Sequence, residues 1–291
     1  MPLNLMYITN DPAVALIAES VGVERIWVDL ETLGKEERQS GKNMVLSRHT
    51  VEDVRKIAKV LTKSELMVRV NPWNDDSPAE IEAVIAAGAD RIMLPMWKSP
   101  EEVDLFLQTV NRRTQTTLLL ETKEAAECLD AVLENLLLDE IHIGLNDLHL
   151  SYGLTFLFEP LVNGMVETLL EKCKAKGVPY GFGGIARIGE GLLPAERIIM
   201  EHYRLGSTRV ILSRTFCNAE EITDLDAIAE VFANEVKRLR DYEASLCAAD
   251  YLDNRKAVET IVAKIVNRIK ELRSANSNER FTDERIGCQS R

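Results

Sequence analysis

Residues 117–148, TLLLETKEAAECLDAVLENLLLDEIHIGLNDL, place a short apolar strand, a helix-length segment and a second short strand in succession. Thr117–Leu120 reads as a strand, Glu124–Glu134 as a helix and Glu140–Gly144 as the next strand. A strand–helix–strand unit of this kind is read as two parallel strands joined by a crossover helix. Each strand then meets a carboxylate: Glu121 closes the first, and Asp147 follows the second in Gly144-Leu145-Asn146-Asp147-Leu148. An acid at the C-terminal end of a buried strand is desolvated, so a cation, a metal or a raised pKa has to compensate.

The same rhythm extends in both directions. Strands are expected at Leu5–Thr9, Arg25–Leu30, Glu65–Val70 and Arg91–Leu94 before this unit, and at Tyr180–Gly183 and Arg209–Leu212 after it. Helices fall between them at 11–21, 51–61, 78–87, 100–110, 158–175 and 194–205. Eight strands, each nearly continuous in apolar character, predict a (β/α)8 TIM barrel over residues 1–220. A doubly wound open sheet is the alternative, and no GxGxxG follows strand one to support it. Extra C-terminal helices are expected over 221–274, then a polar, flexible tail over 275–291. In the second of these helices Val258, Ile261, Val262, Ile265, Val266, Ile269 and Leu272 form an i, i+3, i+4 stripe. Because the barrel brings its own helices, the stripe points to a contact with another subunit.

Composition narrows the function. The 291 residues carry a formal net charge of −12, against a nucleic-acid or anionic membrane surface. No run approaches about 20 apolar residues, so no membrane span is expected. Met1-Pro2-Leu3-Asn4 does not open a signal peptide, and five scattered cysteines (128, 173, 217, 247, 288) without CxxC suit a reduced, cytoplasmic protein. Each cysteine reads as a small packing residue rather than a ligand or nucleophile.

In a barrel of this kind all strand ends share one mouth. Asp29 and Glu31, Arg69, Glu121, Asn146 and Asp147, Gly183 and Arg214 would therefore converge. The simplest reading gives Glu121 and Asp147 to a divalent metal, Mg²⁺ or Mn²⁺, because a sparse all-oxygen site suits those ions. Asp29 and Glu31 would act beside it or on its waters. Arg69 would offer a planar fork to a substrate carboxylate. Such a metal, chelated by a 2-oxo acid, would polarise the carbonyl and stabilise an enolate, so that carbon–carbon bond cleavage or formation follows. Against this, a strand-end acid can be only a helix cap, and Asp29 or Glu31 can pair with Arg69 as a structural ion pair. Of the histidines, His142 reads as a core residue within strand six, His202 as structural, and His149 as a possible neighbour of the metal segment. No HxxxH or HExxH spacing supports a zinc site.

Taken in order, Trp27-Val28-Asp29-Leu30-Glu31, Arg69-Val70-Asn71, Gly88-Ala89-Asp90-Arg91-Ile92-Met93-Leu94-Pro95, Glu121-Thr122 and Gly144-Leu145-Asn146-Asp147-Leu148-His149-Leu150-Ser151-Tyr152-Gly153 resemble the HpcH/HpaI aldolase/citrate lyase family of the phosphoenolpyruvate/pyruvate barrel superfamily. The resemblance covers roughly residues 5–217. It implies a divalent-metal-dependent lyase for small 2-oxo acid or acyl-CoA-type substrates, with Glu121 and Asp147 as metal ligands. It also implies Arg69 on the substrate oxygens, Leu94 and Pro95 lining the mouth, and a homo-oligomer (trimer or hexamer). The aldolase branch of the family has a His after its Asp-x-Glu; here that position is Thr32, and Asp29-Leu30-Glu31 with Lys35-Glu36-Glu37-Arg38 is nearer the citrate lyase branch. His49, beyond the polar loop, could fold over the mouth and replace the missing base, or sit at the surface at a helix start.

Two other functions compete. Gly181-Phe182-Gly183-Gly184, with Arg187 and Arg214, could bind phosphate and make the substrate a phosphorylated sugar acid. A catalytically silent ligand-binding barrel would account for Thr32. Trp73 and Trp97 would line an apolar pocket or pack in the core.

Overall fold

The computed structural model describes residues 1–34, 49–219, 221–222 and 224–287, with backbone alone over 276–287. The expected loop Lys35–Arg38 and Cys288 lie outside the described residues.

The strands are β1 (Asn4–Ile8), β2 (Arg25–Asp29), β3 (Glu65–Arg69), β4 (Arg91–Leu94), β5 (Gln115–Leu120), β6 (Ile141–Ile143), β7 (Tyr180–Phe182), β8 (Gly184–Ile185) and β9 (Arg209–Leu212). All pair in parallel, in the order β7-β6-β5-β4-β3-β2-β1-β9-β8. The expected single strand seven is split. Gly183 takes φ +52, so β7 pairs with β6 while β8 pairs with β9. A Cβ at Gly183 would lie 2.8 Å from Leu145 Cδ1, which reserves the position for glycine. The ring closes across the split: Thr208 N donates to Tyr180 O at 3.1 Å and Ser213 N to Ile185 O at 2.8 Å. The fold is a (β/α)8 barrel.

Around it lie α1 (Pro12–Ser20), α2 (Val51–Val60), α3 (Ser77–Ala86), α4 (Pro100–Val110), α5 (Lys123–Val132), α6 (Leu145–Ser151), α7 (Glu159–Val162), α8 (Met165–Ala175), α9 (Ala195–Leu205), α10 (Leu225–Ser245) and α11 (Tyr251–Gly287). Local chemistry sets several starts. Asp11 and Ser99 cap helices with Pro in the first turn, and Thr50 with Asp53 closes a capping box.

Alternation within the apolar runs sorts the strands' side chains. Ile26, Val28, Leu66, Val68, Ile92, Leu94, Ile141 and Ile143 face the helices, whereas Met6, Trp27, Met67, Met93 and Leu119 fill the interior. Below that plug lies a floor of ions that the strand pattern did not disclose, with Arg25, Arg91 and Glu140 buried and Glu65 and Arg209 half-buried. Arg25 bridges Glu65 (2.5 Å) and Glu140 (2.7 Å), Arg91 joins Glu65 at 2.8 Å, and Arg209 approaches Glu140 at 2.6 Å. Burial alone would raise the Glu140 pKa, but Arg25, then Arg91 and Arg209, bring it down to about 2.

Three expectations about the C-terminus are corrected. The boundary at 220 falls before the last barrel helix: α10 buries Ile228, Phe232, Val236 and Leu239, with Phe232 edge-on to Tyr7 at 4.9 Å. The stripe of α11 is covered within the same chain. Val258, Val262 and Val266 are buried, Ile261, Ile265 and Ile269 pack on the core, and only Leu272 is exposed. Asn254 Nδ2 donates to Glu201 Oε1 (2.9 Å) and Arg255 Nη2 to Val162 O (2.8 Å), tying α11 to α9 and α7. The short α6 and α7 leave the wall there thin, and α11 covers it. The backbone, expected to fray after Ser274, stays helical through Gly287.

Candidate active site

The C-terminal strand ends enclose a cavity of about 570 Å³ lined by Asp29 and Glu31 above β2, Arg69 on β3, Glu121 after β5, Asn146 and Asp147 on α6, Gly183, and Arg214 beyond β9. The converging residues are thus brought together. Leu94 and Pro95 are not: both are buried, with Leu94 facing the helices, so neither lines this cavity.

Arg69 does not extend its fork towards the open space. Its Nε and Nη2 each lie 2.8 Å from an oxygen of Asp29, and Nη2 also reaches Glu31 at 3.2 Å. The structural ion pair raised from sequence as the alternative reading is the one present, and it uses the bidentate edge. The guanidinium stacks 4.9 Å over Trp27. Burial alone would lower its pKa, but Asp29 and Glu31 hold it firmly charged.

Glu121 is the most strained charge in the site. It is 3% exposed, and Met96 N donates to its Oε1 at 3.2 Å from a left-handed residue (φ 53). Burial, then the neighbouring Asp147 charge, raises its pKa well above the ordinary carboxylate value; Arg69 opposes this and Glu31 adds to it. Gly144 makes room for it, since a Cβ there would lie 2.7 Å from Glu121 Oε2. Glu121 and Asp147 also border a second cavity of about 400 Å³ with Met96, Lys98 and Ser151, so the acidic pair stands between two openings.

Counting Glu221, five carboxylates line the main cavity against two arginines. Such an excess suits a cation. Two hard oxygen donors that leave room for water and substrate oxygens match Mg²⁺ or Mn²⁺. Among the described residues no group of three or more His, Cys, Asp or Glu is placed to hold a metal, which sets aside a closed structural site.

Histidine chemistry is displaced from this mouth. His49 Nδ1 accepts from Asp29 N at 3.0 Å, which fixes its proton on Nε2 and occupies the lone pair a base would use. It lines an adjoining cavity of about 300 Å³, not the main one. Thr32 is tied by its hydroxyl to Asn71 Oδ1 (3.2 Å). His142 is fully buried inside the barrel and borders the main cavity; Nε2 contacts Gly183 O at 3.1 Å, and burial lowers its pKa to about 4. His149 Nδ1 faces Leu145 O at 3.3 Å within α6, and His202 stacks on Phe182 at 3.8 Å.

The glycine turn has structural work. Gly183 N donates to Ile143 O at 2.8 Å, a Cβ at Gly181 would strike Arg209 O and His142, and Arg187 Nε donates to Phe216 O at 2.7 Å. Trp97 is core and Trp73 packs against it; neither lines the cavity. Cys173 and Cys217 are buried, Cys128 is half-buried and Cys247 exposed, none in a disulfide.

Fold and site together define a (β/α)8 barrel with an acidic cavity at the C-terminal ends of its strands. The chain belongs to the HpcH/HpaI aldolase/citrate lyase family, whose pattern matches residues 5–180. That family supports an enzyme of carbon–carbon lyase type. Among solved structures it is similar to an HpcH/HpaI aldolase from Desulfitobacterium hafniense (TM-score 0.59, 16% identity, 85% of this chain and 95% of that one). It is also similar to the citrate synthase SbnG (0.56, 18%, 79% and 94%) and to macrophomate synthase (0.52, 14%, 72% and 77%). At these identities the likeness establishes the fold. No curated protein matches the chain in sequence. Among the described residues no helix is long and apolar enough to cross a membrane.

Proposed function

We propose that this protein is a Mg²⁺- or Mn²⁺-dependent lyase that makes or breaks a carbon–carbon bond next to the carbonyl of a 2-oxo acid. One observation carries the reading: Glu121 is buried beside Asp147 at the border of two cavities, with its charge only partly offset by Arg69 and the Met96 N–H. Glu121 and Asp147 would hold the cation, which when bound supplies Lewis acidity to the 2-oxo group. Arg69, locked by both oxygens of Asp29, would direct Nη1 at the substrate oxygen on which negative charge develops. Asp29 is then a positioning residue. Glu31 meets Arg69 through one oxygen and is the acid we assign to hold the water or hydroxyl whose proton moves. Leu119, Ile8 and Ile211 would exclude water from the far side of the cavity.

Calorimetric titration of Mn²⁺ tests the site: wild type should bind, and Glu121→Gln or Asp147→Asn should each weaken binding by about 10–100-fold. Unchanged affinity in both variants would sink the reading. One observation favours a silent ligand-binding barrel instead, since Thr32 and His49 are both occupied and no basic imidazole faces the mouth. Pyruvate methyl exchange in D₂O separates the two: exchange with Mn²⁺ supports the lyase, and none in a protein that binds both supports the binder.

A further inference from the structure

Among the described residues, three other than glycine take a positive φ: Met96, Asn111 and Arg112. Asn111 and Arg112 do so in the turn that ends α4, where asparagine is a common left-handed residue. Met96, at φ 53, does so at the barrel mouth, and its side chain offers no local hydrogen bond to favour that backbone. A conformation of this kind persists only where its surroundings over-determine it. Here the surroundings are the end of β5. Met96 N donates to Glu121 Oε1 at 3.2 Å, and one residue on, Trp97 O accepts from Thr122 Oγ1 at 2.8 Å. Trp97 is fully buried, so the far side of the bend is anchored in the core. Two successive residues of the bend are thus held by two successive residues after β5. The left-handed φ is what turns the rigid Pro95–Met96 peptide so that its N–H faces the carboxylate. At an ordinary negative φ on the same chain path, the peptide is inverted and the Pro95 carbonyl faces it instead. Among the described residues no second hydrogen-bond donor reaches Glu121. Its other oxygen is confined by shape, since a Cβ at Gly144 would lie 2.7 Å from Oε2.

We propose that Met96 is a positioning residue: its left-handed backbone aims an N–H at Glu121 and so fixes the direction in which Glu121 presents its oxygens to a cation shared with Asp147. The proposal rests on the reading of Glu121 and Asp147 as the metal pair. Met96 acts through its backbone. Its side chain borders the second cavity with Lys98 and Leu150 and takes no part in holding the carboxylate.

The test separates backbone from side chain in the full chain, by calorimetric Mn²⁺ titration with melting curves to report the fold. Met96→Gly removes the side chain but adopts a positive φ without steric cost, so its Mn²⁺ affinity should stay within about threefold of wild type. Met96→Leu, the conservative variant, should do the same. Met96→Ile keeps the bulk but is branched at Cβ and resists this backbone, so affinity should fall by about 10–100-fold. Should Met96→Ile fail to fold, replacing the Met96 amide by an ester deletes the N–H and keeps the side chain; affinity should again fall by about tenfold or more. Equal losses in Met96→Gly and Met96→Ile would assign the effect to the side chain and overturn the proposal. Wild-type affinity in folded Met96→Ile, or in the ester, would overturn it as well. If wild type binds no Mn²⁺, the metal reading has failed, and the aim of the N–H is read without metal. Glu121→Gln should then move the Met96 amide proton upfield in the NMR spectrum, because a neutral acceptor replaces a charged one. That shift supports the positioning of Glu121 by Met96, and an unmoved resonance overturns it.

Discussion

Gly144→Ala isolates the geometry on which the site depends. Backbone angles do not forbid the change, since Gly144 sits at φ −82 and ψ 89. The obstacle is a neighbour: the new methyl would lie 2.7 Å from Glu121 Oε2 and 2.9 Å from Glu121 Cβ, where ordinary contact begins near 3.4 Å. The Glu121 Cβ is fixed by the backbone, so the carboxylate above it must give way by several tenths of an ångström, while metal–ligand distances tolerate only about 0.2 Å. Mn²⁺ affinity should therefore fall by about 10–100-fold, or roughly 1.4–2.7 kcal/mol. Stability should fall by about 0–2.5 kcal/mol, because overpacking of about 1–3 kcal/mol is offset by only about 0.4–1 kcal/mol from the stiffer unfolded chain. Gly153→Ala is the control. Gly153 adopts φ +65 with nothing within 4 Å of its Cβ position, so that variant should lose stability and keep the metal. Calorimetric Mn²⁺ titration and melting curves of both variants are the assay. Unchanged affinity in folded Gly144→Ala, or an equal loss in Gly153→Ala, would refute the reasoning.

Glu121→Gln should raise the melting temperature of the metal-free protein by about 2–4 °C at neutral pH, as removal of a buried functional charge commonly does. Because the folded-state pKa of Glu121 is raised, protonation relieves the same penalty, and the advantage of glutamine should vanish as acid protonates Glu121. A lower melting temperature at neutral pH would contradict this. Acid should also act through His142. Its folded pKa of about 4 lies below the usual 6.5, so the unfolded chain takes the proton first, and stability is lost as pH falls from about 6.5 to 4. The limb is worth roughly 3 kcal/mol and should be missing from the urea-unfolding profile of His142→Gln. Glu140, held down at about 2, contributes a separate limb: stability present above 4.5 and lost as pH falls through 2. Val262→Ala should cost about 2 kcal/mol independently of protein concentration, as expected for a helix docked on its own barrel. A cost that varies with concentration would restore the stripe to a subunit contact.

Much of this protein is written in local pattern. The βαβ rhythm, the caps at Asp11, Thr50 and Ser99, and the acids after β5 and β6 follow from short-range chemistry, so barrel and mouth were legible along the chain. The floor was not. Arg25, Glu65, Arg91, Glu140 and Arg209 read singly as strand-start charges, and only closure of the ring brings residues as far apart as Arg25 and Glu140 to 2.7 Å. The role of Arg69 was open for the same reason: a sequence shows a guanidinium near two acids, but the β2–β3 register, Asp29 opposite Arg69, decides that the fork points inward. The stripe on α11 was visible as apolar, yet its partner was not, because periodicity states that a face must be buried and says nothing of what buries it.

By itself, then, the sequence determined the strands, the helices, the order of the charges and the family pattern, all consequences of local propensity and spacing. Tertiary structure alone decided which charges neutralise one another, that His49 lines the adjoining cavity, and that Glu121 is only partly offset. These outcomes depend on through-space distances and burial, and electrostatic energy is set by those rather than by separation along the chain.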